Sequence, residues 1–264
     1  MVRSLGWCDS PKTQMEHSIA DAGNDEKPTP GKGLGLLEVN EHFKHALRKM
    51  LTEVRATSIS LGSRREFRRL KRTNNLKVHL GCGADVRPGW INIDLRPGVN
   101  GNTTAIEDVI FINHDLRRGL PLPDNSCTII YSSHFFEHLN LGDGERLFGD
   151  CYRALSHGSL MRVVVPDLSA IFRAYVNVNR SYFKTLEDCK LLDQMPDRTN
   201  SLADYVNYCI YQYGEHRCFY DQEMLCSVLA RVGFERVQNS EFDSSMDLGS
   251  DLRRAYSLYT NAWK

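Results

Sequence analysis

The sequence has no apolar run approaching the roughly 20 residues that cross a bilayer, no CxxC cysteine pair and no excess of either charge. The first absence argues against a helical membrane span. The opening MVRSLGWCDSPKTQ also lacks the apolar core of a secretory signal, so a cytoplasmic location is expected. The charge balance, 33 Lys and Arg against 33 Asp and Glu, removes the global field that would announce a nucleic-acid or acidic-membrane partner. Eight cysteines are scattered singly from Cys8 to Cys226, which points to free thiols in a reducing compartment rather than a disulfide framework. The GxxxxGK[ST] phosphate loop is missing too: Gly31, Gly33 and Gly35 fall in a polar stretch with no strand before them and read as a flexible linker.

What is present is an ordinary globular composition, 41% hydrophobic and 25% charged over 264 residues, enough for one large core plus extensions. The chain is organised around LKVHLGCGADVRPGWINID, from Leu76 to Asp94. The apolar run Val78 to Leu80 ends in Gly81-Cys82-Gly83, and Ile91-Asn92-Ile93 ends in Asp94. Glycines at the end of a buried strand let the backbone turn sharply and approach a ligand. A carboxylate at the tip of the next strand can accept both hydroxyl hydrogens of a ribose. This is the chemistry of a nucleoside-bearing cofactor. Only Ala84 to Trp90 separates Gly83 from the next strand, whereas parallel strands normally need a crossover of a dozen or more residues. The first helix is therefore expected to shrink to a turn, or the strand to begin later. The third glycine of GxGxxG is absent, with Val86 in its place, and Asp94 comes too early for a dinucleotide fingerprint.

Residues 1–35 read as a disordered tail, residues 36–73 as a basic helical extension and residues 74–264 as the main domain. In the extension, Leu37, Phe43, Leu47, Leu51 and Val54 recur at helical spacing. Its end carries Arg64, Arg65, Arg68, Arg69, Lys71 and Arg72 around Phe67 and Leu70. That face, Arg64 to Arg72, can contact nucleic acid or another anion. The plainer alternative is a solvated face whose Phe67 and Leu70 dock on the main domain. Strand-like runs at Val109–Ile112, Cys127–Tyr131 and Leu160–Val165 alternate with helical segments such as Glu145–Leu155, with Gly158 between the last helix and strand. This alternation predicts an α/β, doubly wound, mostly parallel sheet. Residues 168–215 are expected to form an inserted helical cap, Asp221 to cap a helix ending at Gly233, and Phe234–Phe242 and Arg254–Trp263 to supply two last strands.

With LGCG, PGWINID, DL, PLPDNS, YSSHFFEHL and VVPDL in this order, the chain resembles class I S-adenosylmethionine-dependent methyltransferases, most of all a small bacterial-type group with these motifs. The resemblance is dense from Leu76 to Val165. It implies a Rossmann-like methyltransferase fold and S-adenosyl-L-methionine as cofactor. It also implies that Gly81, Cys82 and Gly83 turn under the methionine end and that Asp94, with Leu95 beside it, holds the ribose hydroxyls. Asp115 and Leu116 would meet the adenine, and Ser132 and Ser133, with His134, would line the floor beside the sulfonium. Asp94 as a helix cap and His114 or Asp108 in place of Asp115 are the plainer alternatives.

A methyl acceptor with an O–H or N–H must lose a proton, and His134 and His216 are the candidate catalytic bases. The acceptor implied is a small molecule or a glycan-type compound. Two other functions compete. His134-Phe135-Phe136-Glu137-His138 matches the H-x-x-E-H pattern of zinc peptidases, but it follows a parallel-type strand, so no metal is expected. A non-catalytic module that keeps the fold and binds through the basic helix is the other.

Overall fold

The computed structural model describes residues 41–96, 109–195, 198–247 and 251–264. The chain divides into two compact units, Met1–Lys44 and His45–Lys264. Of the first, only residues 41–44 are described, so the expected tail and Leu37 lie outside the described residues.

Seven strands form one sheet: β1 Leu76–Leu80, β2 Ile91–Asp94, β3 Ile110–Asn113, β4 Cys127–Ser133, β5 Leu155–Pro166, β6 Arg236–Ser240 and β7 Ser257–Trp263. Their spatial order is β3-β2-β1-β4-β5-β7-β6, with only β7 antiparallel to its neighbours. This is the expected Rossmann-like, doubly wound, mostly parallel sheet. Its central strands are near-continuous apolar runs because both faces are covered, as a parallel sheet requires. The chain reverses direction across the sheet between β1 and β4, and the crevice at their carboxyl ends is where a doubly wound sheet binds its ligand.

The helices are α1 Glu41–Arg69, α2 Leu141–Ala154, α3 Leu168–Val176, α4 Arg180–Asp188, α5 Leu202–Tyr211, α6 Gln222–Arg231 and α7 Asp251–Tyr256. Side-chain caps start several of them: Asn140 accepts from the Asp143 N–H, Asp167 from Ala170 and Asp221 from Met224. Two boundaries and one helix face differ from expectation. Gly158, at φ +75°, sits inside β5, where the register with β4 shifts, so the strand runs through the glycine. Arg254 belongs to α7, and β7 starts only at Ser257. The apolar stripe Leu47, Leu51, Val54 of α1 is exposed; Ala56, Ser60, Ser63 and Phe67 are its buried residues instead. Phe67 and the following Leu70 join the main core, while the six basic residues between positions 64 and 72 stay exposed. The seven described cysteines are free.

The short link between β1 and β2 contains no helix. Asn92 replaces it as the organiser: its Oδ1 accepts from the Arg87 N–H at 2.9 Å, and its amide donates to the carbonyls of Arg87 and Trp90, each at 3.0 Å. The Arg87 guanidinium lies 4.1 Å from the Tyr131 ring centre and pairs with Asp85 at 2.8 Å. One buried amide and one stacked cation thus close a parallel crossover in ten residues, Gly81 to Trp90.

The helices of residues 168–215 have a core of their own, in which Ile171, Phe183, Leu186 and Tyr205 pack with Tyr256 of α7. Of the described aromatic residues here, Tyr182, Phe183, Tyr205 and Tyr208 belong to this core, whereas Phe172, Tyr175 and Tyr211 are exposed; Tyr208 reaches a small cavity beside the sheet edge.

Candidate functional site

Two cavities open along the carboxyl edge of the sheet. One, of about 710 Å³, is bordered by the Gly81–Asp85 turn, Asp94, Ser133, His134 and Arg253. The second, of about 680 Å³, is bordered by Leu95, Asp115, Leu116, Arg117 and, from α1, Thr52 and Glu53. They share Asp94, Phe135 and His138, so they are two ends of one groove with Asp94 at its waist.

The glycine turn holds its shape through the β2 backbone: the Gly81 and Cys82 N–H groups both donate to the Ile93 carbonyl. The two glycines serve different ends. A Cβ on Gly81 (φ +62°) would come within 2.3 Å of the Phe135 ring, so its absence makes room for Phe135. A Cβ on Gly83 (φ +52°) would meet nothing within 4 Å and would point into open space. Asp94 closes the turn from the other side. Its Oδ2 accepts from the Gly83 N–H at 2.5 Å and its Oδ1 from the Leu95 N–H at 2.6 Å. Arg96 donates to the Gly83 carbonyl and stacks on Phe111. Burial pushes the Cys82 thiol up to about 12, so this residue offers backbone and bulk rather than a thiolate. Burial likewise pulls His79, at the cavity floor, down to about 4.

At the far end the Asp115 carboxylate is already engaged: Arg117 donates to it through Nε at 2.9 Å and through a terminal nitrogen at 2.8 Å. Arg117 also forms a two-pronged pair with Glu53, at 2.7 and 3.0 Å. Helix α1 is thereby clasped over that end of the groove.

Beside the groove lies a cluster of histidines around a carboxylate. Glu137 is 1% exposed, and neither of its carboxylate oxygens accepts a hydrogen bond from any described residue. His134 Nδ1 stands 3.3 Å from Glu137 Oε1, within ion-pair distance, while His134 Nε2 meets the Ser257 hydroxyl at 2.7 Å. His134 adopts φ +52°, a left-handed conformation that non-glycine residues seldom take and that concentrates at functional sites. Burial opposes ionisation of Glu137, but His134 and His138 outweigh it and hold the carboxyl below its ordinary range. His216 Nδ1 lies 3.0 Å from the Cys209 carbonyl; a carbonyl only accepts, so Nδ1 carries the hydrogen and Nε2 keeps its lone pair. Burial lowers the His216 pKa. A small cavity of about 110 Å³ touches both His134 and His216, with Tyr208 and Tyr256 in its wall.

The structure brings Gly81, Cys82, Gly83, Asp94, Ser133 and His134 to one cavity and Asp94, Leu95, Asp115 and Leu116 to the other. Ser132 is fully buried within β4 and borders neither of them. His216 stands behind the groove, within the histidine cluster. Phe135, Arg253, His79 and Glu53 border the groove without having been anticipated. Arg253 was hidden because it falls just before the run Arg254–Trp263 that reads as strand, in a stretch without a pattern of its own; Glu53 lies on a helix far away in sequence. Phe135 was legible in principle, since the bulk that excludes a Cβ at Gly81 follows directly after His134.

No curated protein matches this sequence. Among solved structures the chain is similar in fold to a SAM-dependent methyltransferase from Archaeoglobus fulgidus: 16% identity, 81% of this chain and 94% of that one covered, TM-score 0.43. It is similar also to one from Mesorhizobium loti, with 18% identity, 76% and 96% covered and a TM-score of 0.41. A third is the phosphoethanolamine N-methyltransferase 2 of Haemonchus contortus in complex with S-adenosyl-L-methionine, with 11% identity, 77% and 51% covered and a TM-score of 0.42. Residues 78–163 match the methyltransferase domain family model. That segment holds the glycine turn, Asp94, Asp115 and, of the carboxylate cluster, His134, Glu137 and His138.

Proposed function

We propose that the chain transfers a methyl group from S-adenosyl-L-methionine to a small-molecule or sugar-type acceptor, with the donor lying along the groove and the acceptor arriving on the side of the histidine cluster. The observation that carries the reading is the pairing of Gly83 with Asp94: a backbone turn with open space where a Cβ would be, facing a carboxylate fixed at the strand tip. The groove fits such a donor. Asp94 stands at its waist, where a ribose would sit between an amino-acid end and a base. Arg253 borders the first cavity and donates to Ser133 Oγ at 2.9 Å. Because Arg117 occupies the Asp115 carboxylate, contact with the adenine falls to the backbone of Asp115 and Leu116.

When bound, S-adenosyl-L-methionine supplies a methyl carbon already activated by its sulfonium. The chain's work is then to align the acceptor and to accept its proton. Alignment falls to Ser133, Phe135 and His138 along the groove wall, and proton uptake to the cluster in which His134 and His216 flank Glu137. The enclosure of this cluster by α3 to α5 favours a compact acceptor over a folded macromolecule. Calorimetric titration with S-adenosyl-L-methionine and S-adenosylhomocysteine tests the donor site: both bind, and Asp94→Ala weakens both. No binding of either by the folded protein would refute the proposal. A screen with labelled methyl donor against metabolite, glycan, RNA and protein pools then tests the acceptor class.

A further inference from the structure

The Glu137 cluster holds more than proton uptake requires. A carboxylate that is 1% exposed, with His134 at 3.3 Å from one oxygen and no hydrogen bond from a described residue on the other, is costly unless further positive charge compensates it. Two imidazoles lie against it besides His134. One potential ligand atom from each of Glu137, His138 and His216 falls within 4.8 Å of the others. Donors around a single cation stand about 3–4 Å apart, given metal–ligand bonds near 2 Å, so small side-chain rotations suffice to close the set.

We propose that Glu137, His138 and His216 form a binding site for one first-row divalent cation. The supporting groups are in place. The Cys209 carbonyl fixes the hydrogen of His216 on Nδ1 and leaves Nε2 as the ligand atom, the arrangement that orients metal-binding histidines in general. His134 holds one oxygen of Glu137 and is itself anchored on Ser257 Oγ, which leaves the second oxygen for the cation. The Glu137 carbonyl accepts from the Arg217 and Cys218 N–H groups at 2.7 and 3.1 Å, which ties the strand-end turn to the segment that carries His216. One carboxylate and two imidazoles with positions to spare suit zinc, manganese or iron rather than the all-oxygen shells of calcium and magnesium. His138 borders both ends of the groove, so a cation on these ligands is within reach of an acceptor. Its chemistry there would be to lower the pKa of an acceptor hydroxyl, and with His216 Nε2 on the cation, proton uptake would fall to His134. That role rests on the methyltransferase reading; the site itself rests on the side chains alone.

The test is cation binding, not turnover. The whole chain, stripped with EDTA, is titrated with Zn²⁺ and Mn²⁺ by calorimetry, and Mn²⁺ is followed by electron paramagnetic resonance. One equivalent is expected, with binding weakened at least tenfold in His138→Ala and in His216→Ala, and further in Glu137→Gln. Thermal melts by circular dichroism establish that each variant folds. The half-exposed His138 keeps the test decisive if the Glu137 variant does not fold. Absence of a bound cation in folded wild-type protein, or equal binding by wild type and all folded variants, overturns the site. Asp94→Ala separates the two proposals: it is expected to lose S-adenosylhomocysteine binding while keeping the cation. Wild-type protein that binds the cation but neither donor form refutes the methyltransferase reading and leaves the cation site standing.

Discussion

Two acids are buried in this protein in opposite ways. Asp247, in the loop after β6, meets Arg162 of β5 through Nε at 2.8 Å and through a second, shorter contact. The same guanidinium donates to Ser240, to Asn261 and to the Glu241 carbonyl, so the pair is saturated and ties β5, β6 and β7 together. Glu137, buried at least as deeply, has imidazoles around it, and among the described residues its oxygens meet His134 Nδ1 at 3.3 Å rather than a saturating set of donors. A saturated buried pair loses stability when one partner is removed. An under-coordinated buried carboxylate is held in place by the rest of the fold and is ready for a ligand.

The comparison breaks or holds on substitutions. Arg162→Met strands the Asp247 charge and should cost about 3–5 kcal/mol in urea denaturation, whereas Glu137→Gln should change stability by no more than about 1 kcal/mol. Equal losses in the two variants would mean that Glu137 is as structural as Asp247. His79 extends the contrast to a base: it is 1% exposed, its Nδ1 lies 3.9 Å from Asp85 without a hydrogen bond to a described residue, and burial holds it at about 4. The unfolded chain therefore binds this proton first, and stability should fall as pH drops from about 6.5 toward 4, by up to about 3 kcal/mol. A His79→Gln variant should flatten that window; an unchanged slope would assign the acid sensitivity elsewhere. Asp94→Ala strands the Gly83 and Leu95 N–H groups and should cost about 1–3 kcal/mol, and it should weaken donor binding roughly tenfold to a hundredfold, the range for hydrogen bonds to a charged group. The smallest effect is expected from Glu53→Gln, since Glu53 is 54% exposed and its pair with Arg117 is a surface interaction of about 0–1 kcal/mol.

Much of the fold was legible because it depends on local pattern. Apolar runs ending in glycine or acid marked β1, β2 and β5, and Asp221 marked the start of α6. The strand-to-strand link without a helix was legible as a length, but its cause was not. The amide of Asn92 and the guanidinium of Arg87 act on neighbours that a pattern of apolar and polar residues does not identify. The helix carrying Leu47, Leu51 and Val54 was legible but their exposure was not, for a related reason: helical spacing shows which residues share a face, not whether anything covers it. At the site, the chemistry of Gly83 and Asp94 could be inferred from adjacent residues. The engagement of Asp115 by Arg117 and Glu53 could not, because Glu53 is 62 residues away in sequence from Asp115.

The sequence by itself determined the alternation of strand and helix, the glycine turn before an acid, and the presence of His134, Glu137 and His138 in one short segment. Each follows from backbone preferences or from spacing along the chain, which act over a few residues. Only the tertiary structure decided that His216 stands against Glu137, that Phe135 fills the space left by Gly81, and that Arg253 reaches the glycine-turn cavity. Those contacts join segments dozens of residues apart, and their existence depends on how the sheet order brings strand ends and loops to one edge.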